Sequence, residues 1–375
     1  MNKKLVAAAL GLAFAAPVFA DSSNVTLYGR VHQVLDQQST DTAGGNFALE
    51  DASSRFGITG REDLGGGLSL VFGYEFSVAA DANAGVGGRH SYIGMKGSYG
   101  TLVAGQQDGG NETVAPLYTQ AGLTGSVSNQ GGPLVTIGGG GVAFSNAVAI
   151  QRVQRMNNSF GYKTNIAGVA IEARHGLSGG NNQNTATNAG NNNPNNTATA
   201  SKENGSRQTE VAATYKLGAL TVGGGFSLFD QQSQDPSVFN AASSAGPAGA
   251  GANAERTVQG IVSYNFGAFT LGGLVAQTSF YETNPANGED SNTEYLLSAT
   301  VPLSANSGIF GVYADSERNN LVTPTELTQA QVAYYYDFSK RTRTYVGFNR
   351  LTTETVATGA EADQDNFTIG LRHNF

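Results

Sequence analysis

The chain has 375 residues with neither cysteine nor tryptophan, and a formal charge of -8 at pH 7. The lack of cysteine excludes a disulfide framework, a thiolate zinc site and a cysteine nucleophile, and the acidic balance argues against nucleic acid or anionic lipid surfaces as partners. Length alone admits two soluble domains or one large barrel, so the apolar pattern has to decide.

Lys3 and Lys4 precede an apolar run from Leu5 to Val18, and Val18-Phe19-Ala20 comes just before Asp21. A basic start, a short apolar core and small residues at the last and third-last positions predict a secretory signal peptide over 1–20, cleaved after Ala20. Its loss removes two cations and leaves a mature chain, 21–375, near -10. No later stretch approaches the roughly 18 consecutive apolar residues of a transmembrane helix, so any membrane role falls to strands closed into a barrel.

The first strand signal follows at once. From Val25 to Leu35, Val25, Leu27, Gly29 and Val31 alternate with Thr26, Tyr28, Arg30 and His32, which places Arg30 on the polar side. In Ser53 to Glu62, Phe56 and Ile58 oppose Arg55, Gly57 and Thr59. After a turn at Asp63 to Gly67 the alternation is clearest, with Leu68, Leu70, Phe72, Tyr74, Phe76 and Val78 against Ser69, Val71, Gly73, Glu75 and Ser77. Between Gly88 and Lys96 alternation leaves the face of Arg89 open.

The unit then repeats. Val211 to Leu217 and Val258 to Phe266 alternate in the same way, and Phe367, Ile369, Leu371, His373 and Phe375 share one face of the last ten residues. Brief turns fall at 97–100, 164–168, 218, 267, 302–308 and 337–341. Long polar connections fall at 36–52, 108–150, 178–207, 231–254, 282–291, 317–326 and 353–365. Alternating short and long connections predict an all-β, 16-stranded antiparallel transmembrane β-barrel with short periplasmic turns and long extracellular loops. About sixteen strands should enclose a water-filled lumen, with interfacial girdles built from Tyr and Phe. The polar repeat Asn181 to Asn196 reads as a surface loop. The Gly138 to Gly141 run lacks the Lys-Ser/Thr and the strand-to-helix setting of a phosphate-binding loop.

Several short motifs, in this order and spacing, resemble the Gram-negative general porins of the β-proteobacterial branch. They are Val25-Thr26-Leu27-Tyr28-Gly29, Ser54-Arg55-Phe56-Gly57 before Glu62-Asp63-Leu64-Gly65, Arg155-Met156-Asn157-Asn158-Ser159, Tyr336-Asp337-Phe338-Ser339-Lys340-Arg341-Thr342, and Gly370 to Phe375. The resemblance implies a homotrimer of barrels in the outer membrane, each with its third extracellular loop, here 108–150, folded inward as a constriction. It implies basic wall residues at Arg30, Arg55, Arg89 and Arg155, with Arg152 as a neighbour, and an assembly signal at Phe375. The inward loop offers only Asp108 and Glu112 as acids, both at its start. It lacks the Pro-Glu-Phe-Gly-Gly-like motif of many relatives, and Gln106 stands where an arginine is usual.

Function follows from that reading. The leading expectation is passive diffusion of small hydrophilic solutes and ions, selected by constriction size and fixed charge, with no cofactor, no metal and no catalysis. A substrate-selective channel or a surface ligand-binding barrel is the alternative. An enzyme would need a triad or a metal group, and His32, His90, His175 and His373 lie on separate strands with no such spacing. The remaining acids cluster in expected surface loops, at Asp36, Asp41, Glu50 and Asp51, at Glu282, Glu289 and Asp290, and at Glu354, Glu361, Asp363 and Asp365. That distribution predicts a net positive constriction in an acidic protein.

Overall fold

The computed structural model describes residues 24–41, 44–45, 47–52, 54–78, 86–108, 155–177, 208–229, 254–280, 291–318 and 324–375. They form one antiparallel sheet. Its strand segments are β1 (Asn24–Thr40), β2 (Phe47–Asp51), β3 (Arg55–Gly65), β4 (Leu68–Ser77), β5 (Gly87–Gly97), β6 (Gly100–Asp108), β7 (Arg155–Ile166), β8 (Val169–Gly176) and β9 (Gln208–Leu217). They continue as β10 (Leu220–Phe229), β11 (Ala254–Asn265), β12 (Thr270–Phe280), β13 (Ser291–Pro302), β14 (Ser307–Arg318), β15 (Thr325–Asp337), β16 (Thr342–Thr355) and β17 (Ala360–Asn374).

Each segment from β3 onward pairs with the next, and β17 returns to β1. The two segments β2 and β3 lie end to end along the other edge of β1, which pairs β3 from Asn24 to Arg30 and β2 from Gln33 to Gln37. They make a single stave, so the barrel closes with the sixteen staves that the sequence predicts. At the break the ladder is repaired by a side chain. Ala52 N–H donates to His32 O at 2.8 Å, and His32 N–H donates to Ser54 Oγ at 3.0 Å.

Alternation sorts the two faces as predicted. Leu271, Val275, Tyr295, Leu297, Ile309, Tyr313, Val332 and Tyr334 are exposed on the outside, a continuous apolar belt around a closed sheet. At the short-turn rim Tyr264 and Phe266 lie 4.6 Å apart, Phe266 stacks on Phe269 at 4.8 Å, and Tyr336 meets Phe338 edge-on at 5.2 Å. These rings build the girdle without tryptophan. No helix among the described residues is long and apolar enough to cross a membrane. The turn between β7 and β8 has two residues, Ala167 at φ 52° and Gly168 at φ 86°, the doubly positive geometry that matches strand twist in tight hairpins.

Three connections differ from expectation. The first, expected over 36–52, is mostly strand, because β1 runs to Thr40 and β2 occupies Phe47–Asp51. The last, expected over 353–365, is a short hairpin between Thr355 and Ala360. A further connection, 78–86 between β4 and β5, had no sequence signal. Above the apolar belt both faces of a strand meet water, so the period-2 pattern fades while the backbone ladder continues. Polar pairs hold this part instead. Thr352 Oγ1 donates to Asp363 Oδ1 at 2.6 Å, and Arg350 donates to both Asp365 oxygens at 2.7 Å. Asp36, expected in a surface loop, is buried on the inner face of β1, where Thr368 Oγ1 donates to Oδ1 at 2.8 Å and Asn366 Nδ2 to Oδ2 at 2.9 Å.

The inner face is not uniformly polar either. Across β11 to β15 it carries buried Ile261, Leu274, Leu296, Phe310, Val312 and Leu327. They are interleaved with buried Gln259, Thr278, Glu294, Ser298, Ser316 and Gln329 of the same parity, so this part of the wall is a mixture of apolar and polar groups that alternation read on β11 alone does not report.

The seam closes at the chain's end. Gly29 N–H donates to the Phe375 backbone oxygen and Phe375 N–H to Gly29 O, both at 3.0 Å, while the Phe375 ring occupies the space above Gly29 where a Cβ would stand. Two net hydrogen bonds at about 1 kcal/mol each and partial burial of a phenyl ring at about 1 kcal/mol make the pair worth about 3 kcal/mol. Deleting Phe375 should lower barrel stability by about that amount, read as an earlier unfolding midpoint in denaturant for the refolded protein, and Gly29→Val, whose side chain would collide with the ring and the Arg55 carbonyl, should shift the midpoint in the same direction.

Candidate functional site

One charged cluster of the inner wall lies on β1, β3, β4 and β5, and a single carboxylate organises it. Glu75 sits on the inward face of β4, opposite Gly57 of β3 and His90 of β5. Its Oε1 accepts a hydrogen bond of 2.5 Å from Arg89 Nε, and its Oε2 accepts one of 3.0 Å from Tyr28 Oη. Arg55 Nε stands 3.8 Å from Oε2 and His90 Nδ1 3.9 Å from Oε1. Tyr28 reaches from β1 because Gly57, on the strand between, leaves room for its ring.

Local geometry explains Arg89. Glu75 pairs with His90 while Phe76 pairs with Gly88, so Arg89 is the extra residue of a β-bulge. A bulge breaks the alternation and re-aims a side chain, and both Arg89 and His90, adjacent in sequence, therefore reach the same carboxylate. Arg89 is buried, 5% exposed, and Arg55 is nearly so. Arg30 faces inward on β1, directly across from Arg55 in the register, and its Nε donates to Asn374 Oδ1 at 2.9 Å.

Of the wall residues expected from the sequence, the structure therefore brings Arg30, Arg55 and Arg89 together. Arg155 opens β7 and Asp108, expected as the first residue of the inward loop, instead ends β6. The two are backbone partners across the β6–β7 register. Arg152, Glu112, the rest of the 108–150 connection, the 181–196 repeat and the 138–141 glycines lie outside the described residues. The register shift beside Gly105 and Gln107 places the extra residue on β7, at Asn157–Asn158, so β6 keeps its alternation and Gln107, in the parity of buried Val103, faces the wall in place of Gln106; its Nε2 donates to Ser159 Oγ at 3.2 Å.

Sequence reasoning missed Glu75. It stood on the polar face of the clearest strand, but nothing local joins it to Arg55, 20 residues back, or Arg89, 14 ahead. A second inner cluster was also unread. Arg174 Nη2 donates to Glu172 Oε1 at 2.6 Å, Lys163 pairs with the same carboxylate, and Glu210 is the cross-strand partner of Arg174. Two cations and two carboxylates make that cluster neutral in sum, whereas three arginines around Glu75 leave a positive excess. Among the histidines, His32 Nε2 meets Tyr345 Oη at 2.8 Å inside the wall, while His175 and His373 lie on the outer face.

The chain matches the sequence profile described as Gram-negative porin over residues 6–356. It is 26% identical to outer membrane porin protein 32 of Delftia acidovorans over 403 aligned positions, covering all of both chains. It is 36% identical over 114 residues to major outer membrane protein P.IB of Neisseria gonorrhoeae, 28% of this chain and 32% of that one, so it spans about a third of the length of the Neisseria relatives it matches. Among solved structures, outer-membrane-expressed OmpT of Vibrio cholerae superposes with a TM-score of 0.62 at 14% identity, covering 96% of this chain and 100% of that one. Salmonella typhi OmpF, in its daunomycin complex, gives 0.62 at 14% identity, covering 96% and 99%. At such identities the superpositions speak for the fold.

Removing the Glu75 carboxylate would leave Arg55 and Arg89 packed against each other without their shared counter-charge. Breaking a buried ion pair from one side costs roughly 3–5 kcal/mol. Glu75→Gln is therefore expected to destabilise the barrel by about 3 kcal/mol in denaturant unfolding, and Tyr28→Phe, which removes only a hydrogen bond to the charge, by about half that.

Proposed function

Because the chain belongs to the Gram-negative porin family, we propose that it forms a water-filled outer-membrane channel through which small hydrophilic solutes and ions diffuse passively. The observation that carries this reading is a closed sheet whose outside is an apolar belt and whose inner wall concentrates Arg30, Arg55 and Arg89 around one carboxylate. Such a channel works by size and fixed charge and needs no catalytic group. Residues 1–20 act as the export signal, 108–150 narrows the lumen, Phe375 marks the chain for assembly, and the barrels associate as a homotrimer. A trimer form of Vibrio cholerae OmpT and the exposed apolar belt support the last point.

The channel prefers anions although the chain is acidic. Charges are screened over about 8 Å at physiological ionic strength, so the local sum governs the narrow region. Arg30, Arg55 and Arg89 against Glu75 leave two positive charges there, to which Arg152 and Arg155 add and from which Asp108 and Glu112 subtract. Asp36 lies six residues along β1 from Arg30, about 20 Å of extended strand, more than two screening lengths away.

A second reading, a substrate-selective channel, is favoured by the apolar residues that stand among polar ones on the inner face of β11 to β15. Leu274, Leu296 and Phe310 sit about half a circuit of staves from the Glu75 cluster, a wall suited to a solute with one charged and one apolar side. Solute-dependent block of single-channel current separates the two, since a general pore shows little.

Ion preference is tested by reversal potentials in KCl gradients. A unit charge about 8 Å from an ion in water shifts its energy by about 0.5 kcal/mol, about a twofold change in each ion's local concentration per charge removed. Wild type should favour chloride at high salt, Arg55→Ala with Arg155→Ala should move toward potassium, and Glu75→Gln should move the other way. Strong potassium selectivity in wild type, or a double variant that stays put, would defeat the anion reading.

A further inference from the structure

A cavity of about 350 Å³ opens at the short-turn rim, between the turns at 303–306 and 338–341 and the adjoining ends of β16 and β17. The described residues that line it bring four cations, Lys340, Arg341, Arg343 and Arg372, against one carboxylate, Asp337. Two of these cations are forced together by the sheet, since Arg343 and Arg372 are direct partners in the β16–β17 register. Like charges placed directly across an antiparallel pair destabilise it.

Asp337 offsets part of this. Arg343 donates to it from Nε at 2.6 Å and from Nη2 at 2.8 Å, while its guanidinium lies 4.2 Å from the Tyr335 ring centroid. The two-point bond and the ring hold that guanidinium in one orientation. A single carboxylate nonetheless cannot balance four cations, and nothing else acidic lines the cavity among the described residues. Asp337, Arg343 and Arg372 share the inward parity of their strands, so this side of the cavity faces the mouth of the lumen.

The geometry points to an oxyanion-binding site at the periplasmic mouth of the barrel, taking a soluble anion that carries a phosphate or carboxylate group. Asn374, which also lines the cavity, accepts the Arg30 Nε hydrogen bond, and Arg30 lies across from Arg55. The site is thus the lower end of a row of cations that climbs the wall on adjacent strands. The assignment rests on the porin reading only for the side of the membrane; the binding itself does not depend on conduction.

The test is equilibrium dialysis of radiolabelled inorganic phosphate against the full chain in detergent, at constant ionic strength in chloride. Saturable binding of one phosphate per chain is expected in wild type. Each charge-assisted hydrogen bond lost weakens binding by about tenfold or more, so Arg343→Gln with Arg372→Gln should weaken it at least about tenfold. Lys340→Gln with Arg341→Gln, exposed turn residues whose loss leaves the strands intact, should weaken it about threefold; if the first pair fails to fold, this second pair decides. Arg350→Gln, on the outer face in its own ion pairs, should bind as wild type does. Absence of saturable phosphate binding in wild type, wild-type binding in both pairs of variants, or equal weakening by Arg350→Gln would overturn the site. A protein that conducts in bilayers yet binds no phosphate would overturn the site alone.

Discussion

A sheet surrounded by hydrocarbon can leave no backbone N–H or C=O without a partner, because no water is present to take its place. Closure of β17 on β1 is the interaction on which everything else here depends. Eleven consecutive pairs, from Arg30 with Asn374 to Thr40 with Gln364, form that seam, and Phe375 with Gly29 carries it to the rim. The same demand explains Ser54. Where the stave breaks between β2 and β3, its hydroxyl serves the His32 N–H that the missing backbone would have met.

Closure also lets distant charges meet without a loop to carry them. Several rings lie flat over a glycine on the neighbouring strand and reach the strand beyond. Tyr28 crosses Gly57 to Glu75, and Tyr345 crosses Gly370 to His32. A Cβ at either glycine would collide with the ring. The polar ends of these tyrosines therefore fix the positions of Glu75 and His32, and through Glu75 the spacing of Arg55 and Arg89. Wall rigidity and wall charge are consequences of the same small-residue positions.

The charge of the whole chain says little about the charge at any point on the wall. Acidic residues are spent in pairs far from the arginine cluster: Asp363 and Asp365 with Arg350 on the outer face, Glu172 with Lys163 and Arg174, Asp337 with Arg343. The result is an acidic protein with a run of excess positive charge from the Glu75 cluster to the short-turn rim.

Alternation over a half-buried strand is a local signal, so the sequence by itself determined the strands within the apolar belt, their number of about sixteen, the short turns, and the inward faces of Arg30 and Arg55. It was silent where strands rise above the belt, because a strand wet on both faces has no period, and β1 beyond Leu35, β2 and the last hairpin were hidden for that reason. It was silent too about partnership. Glu75 and Arg89 are 14 residues apart and Arg343 and Arg372 are 29 apart; register and a single bulge set which of them touch. Register belongs to the closed sheet, since each strand's alignment is fixed only when its two neighbours and the final seam are all paired, and no stretch of chain read alone contains it.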